Sequence, residues 1–238
     1  MTPIIVFGAA GRMGTRILEL AAEDPGFEVA GAVEHDGHAS LGTRILNGKI
    51  IITSDLSALK GKARSAVDFT TPQATLAHLE ILSGWKGTAA VVGTTGFSEK
   101  EKGWIKDFSR KMPIVMSPNM SRGVNLMLRL VAESARLLDG YKIDIVEAHH
   151  VHKKDAPSGT ALALAGQIPH KVEIRSIREG EIVGEHTVGF ETEGERLEIK
   201  HIARSRDAFA AGALDAAVWA AKAGRKPGLY SMKDVLGG

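Results

Sequence analysis

Short apolar runs, each followed by a turn and a helical pattern, repeat along the first half of the chain. Residues 3–7 form a continuous apolar run, which is typical of a parallel-sheet strand with both faces buried. Residues 15–22 have helical periodicity, and residues 27–33 predict a second strand that ends at Glu34. Alternating strands and helices predict an α/β fold with a Rossmann-type parallel sheet.

The alternation continues up to residue 120. Further strands are expected at residues 65–70, 89–92 and 113–116. Helices are expected at residues 73–83 and 98–111, and Ser98 with Glu101 has the spacing of a capping box at the start of the second one.

The second half of the chain has a different pattern. A helix is expected at residues 125–139, a strand at 142–148, and a last, alanine-rich helix at 207–223. Three more strands are expected between them, at residues 172–177, 186–192 and 196–203. Runs of strands predict a smaller α+β domain with a mixed or antiparallel sheet. The expected boundaries are residues 1–121 for the first domain, completed by 207–238, and residues 122–206 for the second.

Composition narrows the classes of protein without selecting one. The 238 residues carry a formal charge of +2, so nothing in the balance calls for nucleic acid or a membrane surface. There is no cysteine, which excludes disulfides and catalytic thiols. The N-terminus enters the first apolar strand directly, so we expect a soluble, cytoplasmic protein.

A glycine turn between the first strand and the first helix predicts a dinucleotide site. Its sequence is Gly8-Ala9-Ala10-Gly11-Arg12-Met13-Gly14, a GxxGxxG spacing rather than the commoner GxGxxG. Glycines permit close approach of the backbone to a pyrophosphate, and Glu34 after the second strand is suited to ribose hydroxyls. Two loops at later strand ends should face the nicotinamide half of the cofactor: Gly93-Thr94-Thr95-Gly96 and Ser117-Pro118-Asn119-Met120.

A basic loop after the strand at residues 142–148 predicts an anion site. Five of the six residues from 149 to 154 are His or Lys, and Pro157-Ser158-Gly159-Thr160 then opens a helix. A helix start and cationic side chains together favour a small anion such as a carboxylate, and His and Lys also exchange protons near neutral pH. A zinc site at His150 and His152 is the alternative, although the usual ligand set is incomplete. Solvated surface charge is the third interpretation.

Several segments resemble the dihydrodipicolinate reductase family, also called 4-hydroxy-tetrahydrodipicolinate reductase, of the diaminopimelate route to lysine. The resemblance covers nearly the whole chain. It rests on the glycine turn, on both small polar loops and on three further segments: Asp68-Phe69-Thr70, residues 147–161, and Gly228-Leu229-Tyr230-Ser231-Met232-Lys233-Asp234-Val235-Leu236.

The resemblance implies a homotetramer that delivers hydride from NADH or NADPH to a cyclic, unsaturated dicarboxylate, without a metal. It implies that His149 and Lys153 are the catalytic, proton-handling pair and that His150, Gly159 and Thr160 hold a substrate carboxylate. It also implies a set of cofactor-binding residues: Gly8, Ala9, Ala10, Gly11, Arg12, Met13, Glu34, Gly93, Thr94, Thr95, Ser117, Pro118, Asn119 and Met120.

Two positions depart from the family pattern, and two other functions stay open. Asp144 stands where many members have Glu, and His35 stands where some have Arg, a residue suited to a 2′-phosphate. We therefore expect a modest preference for NADH.

The alternatives are another two-domain Rossmann oxidoreductase and a non-catalytic NADH-sensing protein. The short-chain dehydrogenase pattern is excluded, because the residues four places after Tyr141 and Tyr230 are Ile145 and Asp234 rather than Lys.

Overall fold

The structure is a computed structural model that describes residues 1–237, and it divides into two compact units. Unit 1 comprises residues 1–120 together with the described residues from 209 onward. Unit 2 comprises residues 121–208. Within the described part of the chain, no helix is both long enough and apolar enough to cross a membrane.

The strands and helices largely follow the pattern of apolar residues. The strands are β1 (Thr2–Phe7), β2 (Phe27–Val33), β3 (Arg44–Ile45), β4 (Ile50–Thr53), β5 (Ser65–Asp68), β6 (Ala89–Val92), β7 (Pro113–Met116), β8 (Lys142–His149), β9 (Glu173–Arg178), β10 (Gly184–Glu191), β11 (Arg196–Ala203) and β12 (Gly228–Tyr230). The helices are α1 (Arg12–Glu23), α2 (Pro72–Ser83), α3 (Glu99–Ser109), α4 (Arg122–Leu137), α5 (Gly159–Ala165), α6 (Asp207–Ala220) and α7 (Met232–Val235).

Unit 1 is built on one sheet with the strand order β12-β7-β6-β5-β1-β2-β4-β3. All neighbours are parallel except β3 and β4. Side chains of β1 alternate between two cores, with Ile4 and Val6 in one and Ile5 and Phe7 in the other. Burial on both faces is the reason that this strand is apolar throughout, and the Rossmann-type prediction is confirmed.

Several predicted boundaries were wrong by a few residues, for local reasons. The strand expected at 65–70 ends at Asp68, because the Asp68 carboxylate accepts hydrogen bonds from the Thr70 N–H and hydroxyl and turns the chain. The helix expected at 125–139 begins at Arg122, because Ser121 caps it by accepting from the Val124 N–H. The elements that went unpredicted, β3, β4, β12 and α7, have only two to four residues each, too few to show a period.

Unit 2 contains a four-stranded sheet in the order β11-β10-β8-β9, and the predicted mixed sheet is confirmed. β8 pairs with β9 in parallel, and β10 pairs with β8 and β11 in antiparallel. One end of its buried face is apolar, where Ile143 lies opposite Phe190 and Ile145 lies opposite Val188.

The other end of the same face is polar. The alternation of β8 that buries Ile143 and Ile145 also buries Glu147 and His149. On β10, the same alternation buries Gly184 and His186 together with the core residues. Because strand side chains repeat with a period of two, titratable groups in register with a hydrophobic core are buried as well. This polar end is where the basic loop begins.

Candidate functional site

The predicted cofactor residues lie along one edge of the parallel sheet of unit 1, and we call this set of residues the glycine edge. They directly follow the carboxyl ends of β1, β2, β6 and β7. Neighbouring parallel strands present these ends on the same side, so the sheet gathers residues as far apart in the chain as Gly8 and Met120.

The glycine turn is shaped by close backbone contacts. Gly8 has a φ of 64°, in the left-handed region that glycine adopts freely. A Cβ built on Gly14 would collide with the carbonyl oxygen of Gly8. Gly11 occupies the N-cap of α1 and has no side chain to cap the first turn. The first N–H groups of this twelve-residue helix are thus the donors that suit a pyrophosphate.

Glu34 joins the glycine turn to the end of β2. Its side chain is nearly buried, and Oε1 accepts a hydrogen bond of 2.9 Å from the Ala10 N–H. Its carboxylate therefore lies beside the glycine turn, at the strand end where a ribose-binding acid is expected.

The two small polar loops follow neighbouring strands β6 and β7 and are held by hydroxyl groups. The Thr94 hydroxyl is 2.8 Å from that of Thr75 on α2. Ser117 donates to the Asn119 carbonyl at 2.7 Å. A Cβ on Gly93 would overlap the Phe69 ring, so this position has no room for a side chain.

The remaining residues of these loops differ in exposure. Thr95 and Pro118 are exposed, whereas the Met120 side chain is 1% exposed and packs in a core of unit 1. Only the backbone of Met120 therefore remains to line a ligand site.

The catalytic candidate His149 belongs to a buried network at the polar end of the unit 2 sheet. Its Nδ1 lies 2.5 Å from Oε2 of Glu147, which is 0% exposed. Arg178, beside His149 on β9, donates to both carboxylate oxygens of Glu147, at 2.7 and 3.0 Å. The N–H of Ser158 completes this group at 3.3 Å. We call these four residues with His186 the Glu147 cluster.

Charges inside the cluster move the pKa values of its members. Burial raises the pKa of Glu147, but hydrogen bonds from Arg178, Ser176 and His149 outweigh it and hold that pKa at about 2. Burial lowers the pKa of His149, contact with Glu147 raises it, and the charges of Lys153 and Arg178 lower it further, so the net shift is downward. Glu147 is therefore an anion at neutral pH, and His149 is a weak base.

His186 is the fifth member of the cluster. Its ring is 5.1 Å from that of His149, edge to face, and its Nε2 lies 3.1 Å from the Ser158 hydroxyl. Burial has the largest effect on the pKa of His186 and the charge of His149 the next largest, and together they lower that pKa to about 4. His186 is therefore neutral at pH 7. Its Nδ1 has no hydrogen-bond partner among residues 1–237.

The second catalytic candidate, Lys153, lies in the basic loop. Its ammonium group is 2.8 Å from Oδ1 of Asp155. The positive charge of Lys153 also lowers the pKa of His149. Arg178 also donates to the Asp155 carbonyl, at 2.5 Å, so it ties the loop to Glu147.

The three substrate-binding candidates lie at the two ends of this loop. The backbone N–H of His150 donates to the carbonyl oxygen of Ile182. The imidazole Nδ1 of His150 is buried and has no hydrogen-bond partner in the described chain. Gly159 is exposed and opens α5, and a Cβ built on it meets no described heavy atom within 4 Å. Thr160, the next residue, is half-buried.

The zinc alternative at His150 and His152 gains no third ligand from the residues that the structure describes. Over residues 1–237, one group of three His, Asp or Glu side chains brings its ligand atoms within 4.8 Å of one another, and it consists of Glu34, His35 and His38. In that group, Nδ1 of His38 already accepts from the Ser40 N–H at 3.0 Å.

Of the cluster residues, the sequence predicted a site role for His149 only; Glu147 and Ser158 lay in the segment that resembles the family without a predicted role of their own, and Arg178 and His186 lay outside it. Arg178 and His186 are 29 and 37 residues away from His149 in the chain. A signal existed for His186, because its place in an alternating strand puts it on the same face as Val188 and Phe190. No comparable signal marked Arg178, since pairing of β8 with β9 brings it into place.

Comparisons with known proteins cover both units. Residues 2–120 match the family model "Dihydrodipicolinate reductase, N-terminus", and residues 123–236 match "Dihydrodipicolinate reductase, C-terminus". The chain is 42% identical to the 4-hydroxy-tetrahydrodipicolinate reductase of Anaeromyxobacter dehalogenans, over 100% of this chain and 98% of the relative. It is also 42% identical to the enzyme of that name from Aquifex aeolicus, over 98% of each chain.

A solved structure has the same fold. It is the dipicolinate-bound dihydrodipicolinate reductase from Paenisporosarcina sp. TG-14, with a TM-score of 0.82, 21% identity and 97% of each chain covered.

Proposed function

The chain belongs to the dihydrodipicolinate reductase family, and from that premise we propose that it reduces 4-hydroxy-tetrahydrodipicolinate to tetrahydrodipicolinate with NADH or NADPH. This is the reductase step of the diaminopimelate route to lysine. The observation that carries the proposal is the Glu147 cluster, which sets a hydrogen-bonded histidine beside a basic loop.

The residues of the glycine edge fit a dinucleotide. The first turn of α1 offers backbone N–H groups to the pyrophosphate, and the glycines leave the backbone uncovered. Glu34 would accept the ribose hydroxyls, while the loops after β6 and β7 would line the nicotinamide half. A bound reduced nicotinamide supplies hydride. Glu34 is an acceptor for ribose hydroxyls and repels a 2′-phosphate, so NADH should be modestly favoured. Because Arg12 would partly compensate for that repulsion, NADPH should work as well.

The basic loop fits a substrate with two carboxylates. His150, with its unpaired buried Nδ1, and the N–H groups of Gly159 and Thr160 would hold one of them. Charge-assisted hydrogen bonds of this kind are roughly twice as strong as neutral ones. The Paenisporosarcina relative is a complex with dipicolinate, a planar dicarboxylate.

His149 and Lys153 would handle the proton. Reduction of the conjugated ring leaves negative charge on the substrate, and a cationic Lys153 stabilises that charge. Lys153 and His149 are both groups that can then donate the proton that completes the reduction. Because burial and the neighbouring cations lower the pKa of His149, its neutral imidazole is the favoured form near neutral pH.

We also propose that the protein is a homotetramer in the cytoplasm, with unit 2 as the assembly and substrate domain. In support, α4 exposes three large apolar side chains, Leu126, Leu130 and Leu137, which are 52%, 46% and 62% exposed. Apolar patches of this kind commonly mark protein interfaces. Light scattering coupled to size-exclusion chromatography tests the assembly.

The reaction is tested by coupled turnover. Dihydrodipicolinate synthase generates the unstable substrate in the cuvette, and the loss of reduced-cofactor absorbance is followed with NADH and with NADPH. We expect oxidation that depends on both the synthase and this protein, and competitive inhibition by pyridine-2,6-dicarboxylate against the substrate. The proposal would be contradicted if neither NADH nor NADPH supported turnover.

A further inference from the structure

Besides its hydrogen bond with Ser176, Glu147 receives four hydrogen bonds from His149, Arg178 and Ser158. His149 lies on the same strand, Arg178 comes from β9, and Ser158 precedes α5. Arg178 contributes two of the four bonds, at 2.7 Å to Oε1 and 3.0 Å to Oε2. A two-pronged guanidinium contact fixes the plane of a carboxylate as well as its position. The oxygen that faces His149 is therefore held from several directions.

An ionised carboxylate accepts hydrogen bonds and cannot donate them. Since the hydrogen bonds to Glu147 hold its pKa at about 2 despite burial, the proton between Glu147 and His149 belongs to Nδ1 of the imidazole. The other ring nitrogen, Nε2, then carries the lone pair when His149 is neutral and the second proton when it is charged.

The surroundings of Nε2 are shaped by Gly184. This glycine lies on β10, and a Cβ built on it would come within 3.1 Å of Nε2 of His149. A side chain at position 184 would therefore press against the nitrogen that remains available. Glycine leaves that approach open.

We propose that Glu147, held by Arg178, is a positioning residue that keeps His149 in the Nδ1-protonated form and reserves Nε2 for proton exchange with the substrate. The part of this inference that concerns substrate rests on the function proposed above. The protonation of the His149 imidazole is a property of the protein alone, so it can be tested without turnover.

The charged and titratable groups around His149 define its expected response to a change at Glu147. Lys153 in the basic loop and Arg178 on β9 lower the pKa of His149, and burial lowers it most. His186 on β10 is a further titratable neighbour, with a ring centroid 5.1 Å away. Glu147 alone raises the pKa of His149, so its replacement leaves the lowering influences unopposed.

The first test uses the wild-type protein without ligands. With ¹⁵N-labelled histidine, the nitrogen shifts and couplings of His149 are followed by NMR as a function of pH. We expect neutral His149 to carry its proton on Nδ1. A neutral form with the proton on Nε2 would overturn the proposal, whether or not the protein has the proposed activity and whether or not any variant folds.

The second test compares Glu147→Gln with Glu185→Gln. Glu185 is a partly exposed residue of β10 that pairs with Lys200 at 3.0 Å, so its variant controls for loss of a carboxylate from the same sheet. We expect Glu147→Gln to lower kcat at least about tenfold, because an orienting carboxylate sets the tautomer of a catalytic histidine. NADH affinity should stay unchanged, and Glu185→Gln should behave like wild type.

The pH profile separates positioning from a purely structural role. In Glu147→Gln, the directly measured pKa of His149 should fall, and the matching limb of the kcat profile should move to lower pH with it. Glu147→Asp, which restores the charge, should return the pKa towards its wild-type value. A loss of kcat without any change in the tautomer or pKa of His149 would overturn the proposal. Absence of turnover in wild type would instead contradict the proposed function and leave the NMR result decisive for positioning.

Discussion

The glycine edge of unit 1 and the Glu147 cluster of unit 2 are two candidate ligand sites built from different materials. The glycine edge presents backbone N–H groups, two small polar loops and one carboxylate. The Glu147 cluster consists of titratable side chains from three strands together with Ser158 at the start of α5, and the pKa values of Glu147, His149 and His186 are shifted in it. The first site therefore depends on the absence of side chains, and the second on their charge.

The two sites should therefore tolerate different changes. A backbone site is damaged by added volume and is largely indifferent to pH. A network of buried charges is damaged by the loss of any one partner, because the others are left without compensation.

The largest effect is expected from removing the ammonium group of Lys153 in the basic loop. Lys153→Ala should lower kcat by at least about 10²-fold, the usual range for loss of a general acid, and His149→Ala should do likewise. NADH affinity, measured by calorimetry without substrate, should barely change, because these side chains belong to unit 2. Lys154→Ala, an exposed neighbour, is the matched control. Near-wild-type kcat in Lys153→Ala would remove that residue from the mechanism.

The next effect is expected from a single added methyl group at the glycine edge. Gly14→Ala places a Cβ against the Gly8 carbonyl, so the turn must open, and NADH binding should weaken by about 30-fold, or about 2 kcal/mol. Gly103→Ala is the matched control, since its Cβ would meet no described atom within 4 Å. That control lies inside α3 and should be neutral or stabilising by up to about 1 kcal/mol. Equal NADH affinity in both variants would mean that the turn does not contact the cofactor.

The sequence predicts where the residues of the glycine edge lie in the sheet because the determinants of that placement are local, and their role in cofactor binding stays a prediction. The order of strand, glycine turn, helix, strand and Glu34 is continuous in the chain, and parallel strands place their ends together by rule. The Glu147 cluster was predicted only in part. His149 stood out through its basic neighbours, whereas Arg178 and His186 enter through the pairing of β9 and β10 with β8, and strand pairing is not encoded by any local pattern.

Acid should affect the Glu147 cluster before it affects the glycine edge. His186 has a pKa of about 4 when folded and about 6.5 when unfolded, so the unfolded chain binds more protons between these values. Stability should therefore decline as pH falls from about 6.5 towards 4. Glu147, with its pKa of about 2, loses its contribution only at lower pH, below about 4.5.

Hydrogen exchange locates this loss. Amides of β8 should exchange faster at pH 4.5 than at pH 7 after correction for the intrinsic rate, while those of β1 should not. His186→Gln should flatten the pH dependence. Uniform loss of protection in both sheets would contradict the assignment of acid sensitivity to unit 2.

A smaller effect is expected where the basic loop meets the backbone. Gly159 has open space around its Cβ position, so Gly159→Val should fold normally, yet its side chain would obstruct an anion approaching the chain. We expect KM for the dicarboxylate to rise by about tenfold, or about 1.4 kcal/mol, with NADH binding kept. Thr160→Val, which lacks only the hydroxyl, should cost about 1–2 kcal/mol if that hydroxyl bonds the carboxylate. Normal substrate binding by Gly159→Val would place the anion site elsewhere.

The smallest effect concerns the choice between NADH and NADPH, the one property of the glycine edge that depends on a charge. Glu34 uses Oε1 to accept from the Ala10 N–H, which leaves its second oxygen for the ribose hydroxyls and an anion where a 2′-phosphate would be placed. Arg12, the first residue of α1, would offer partial compensation for that phosphate. We therefore expect the ratio of kcat/KM to favour NADH by less than about tenfold, or about 1.4 kcal/mol. Glu34→Gln keeps the size of the side chain and removes the repulsion, so it should move the ratio towards NADPH, with kcat for either cofactor nearly constant. A wild-type preference for NADPH above that range, or a ratio that Glu34→Gln leaves unchanged, would show that another residue recognises the ribose.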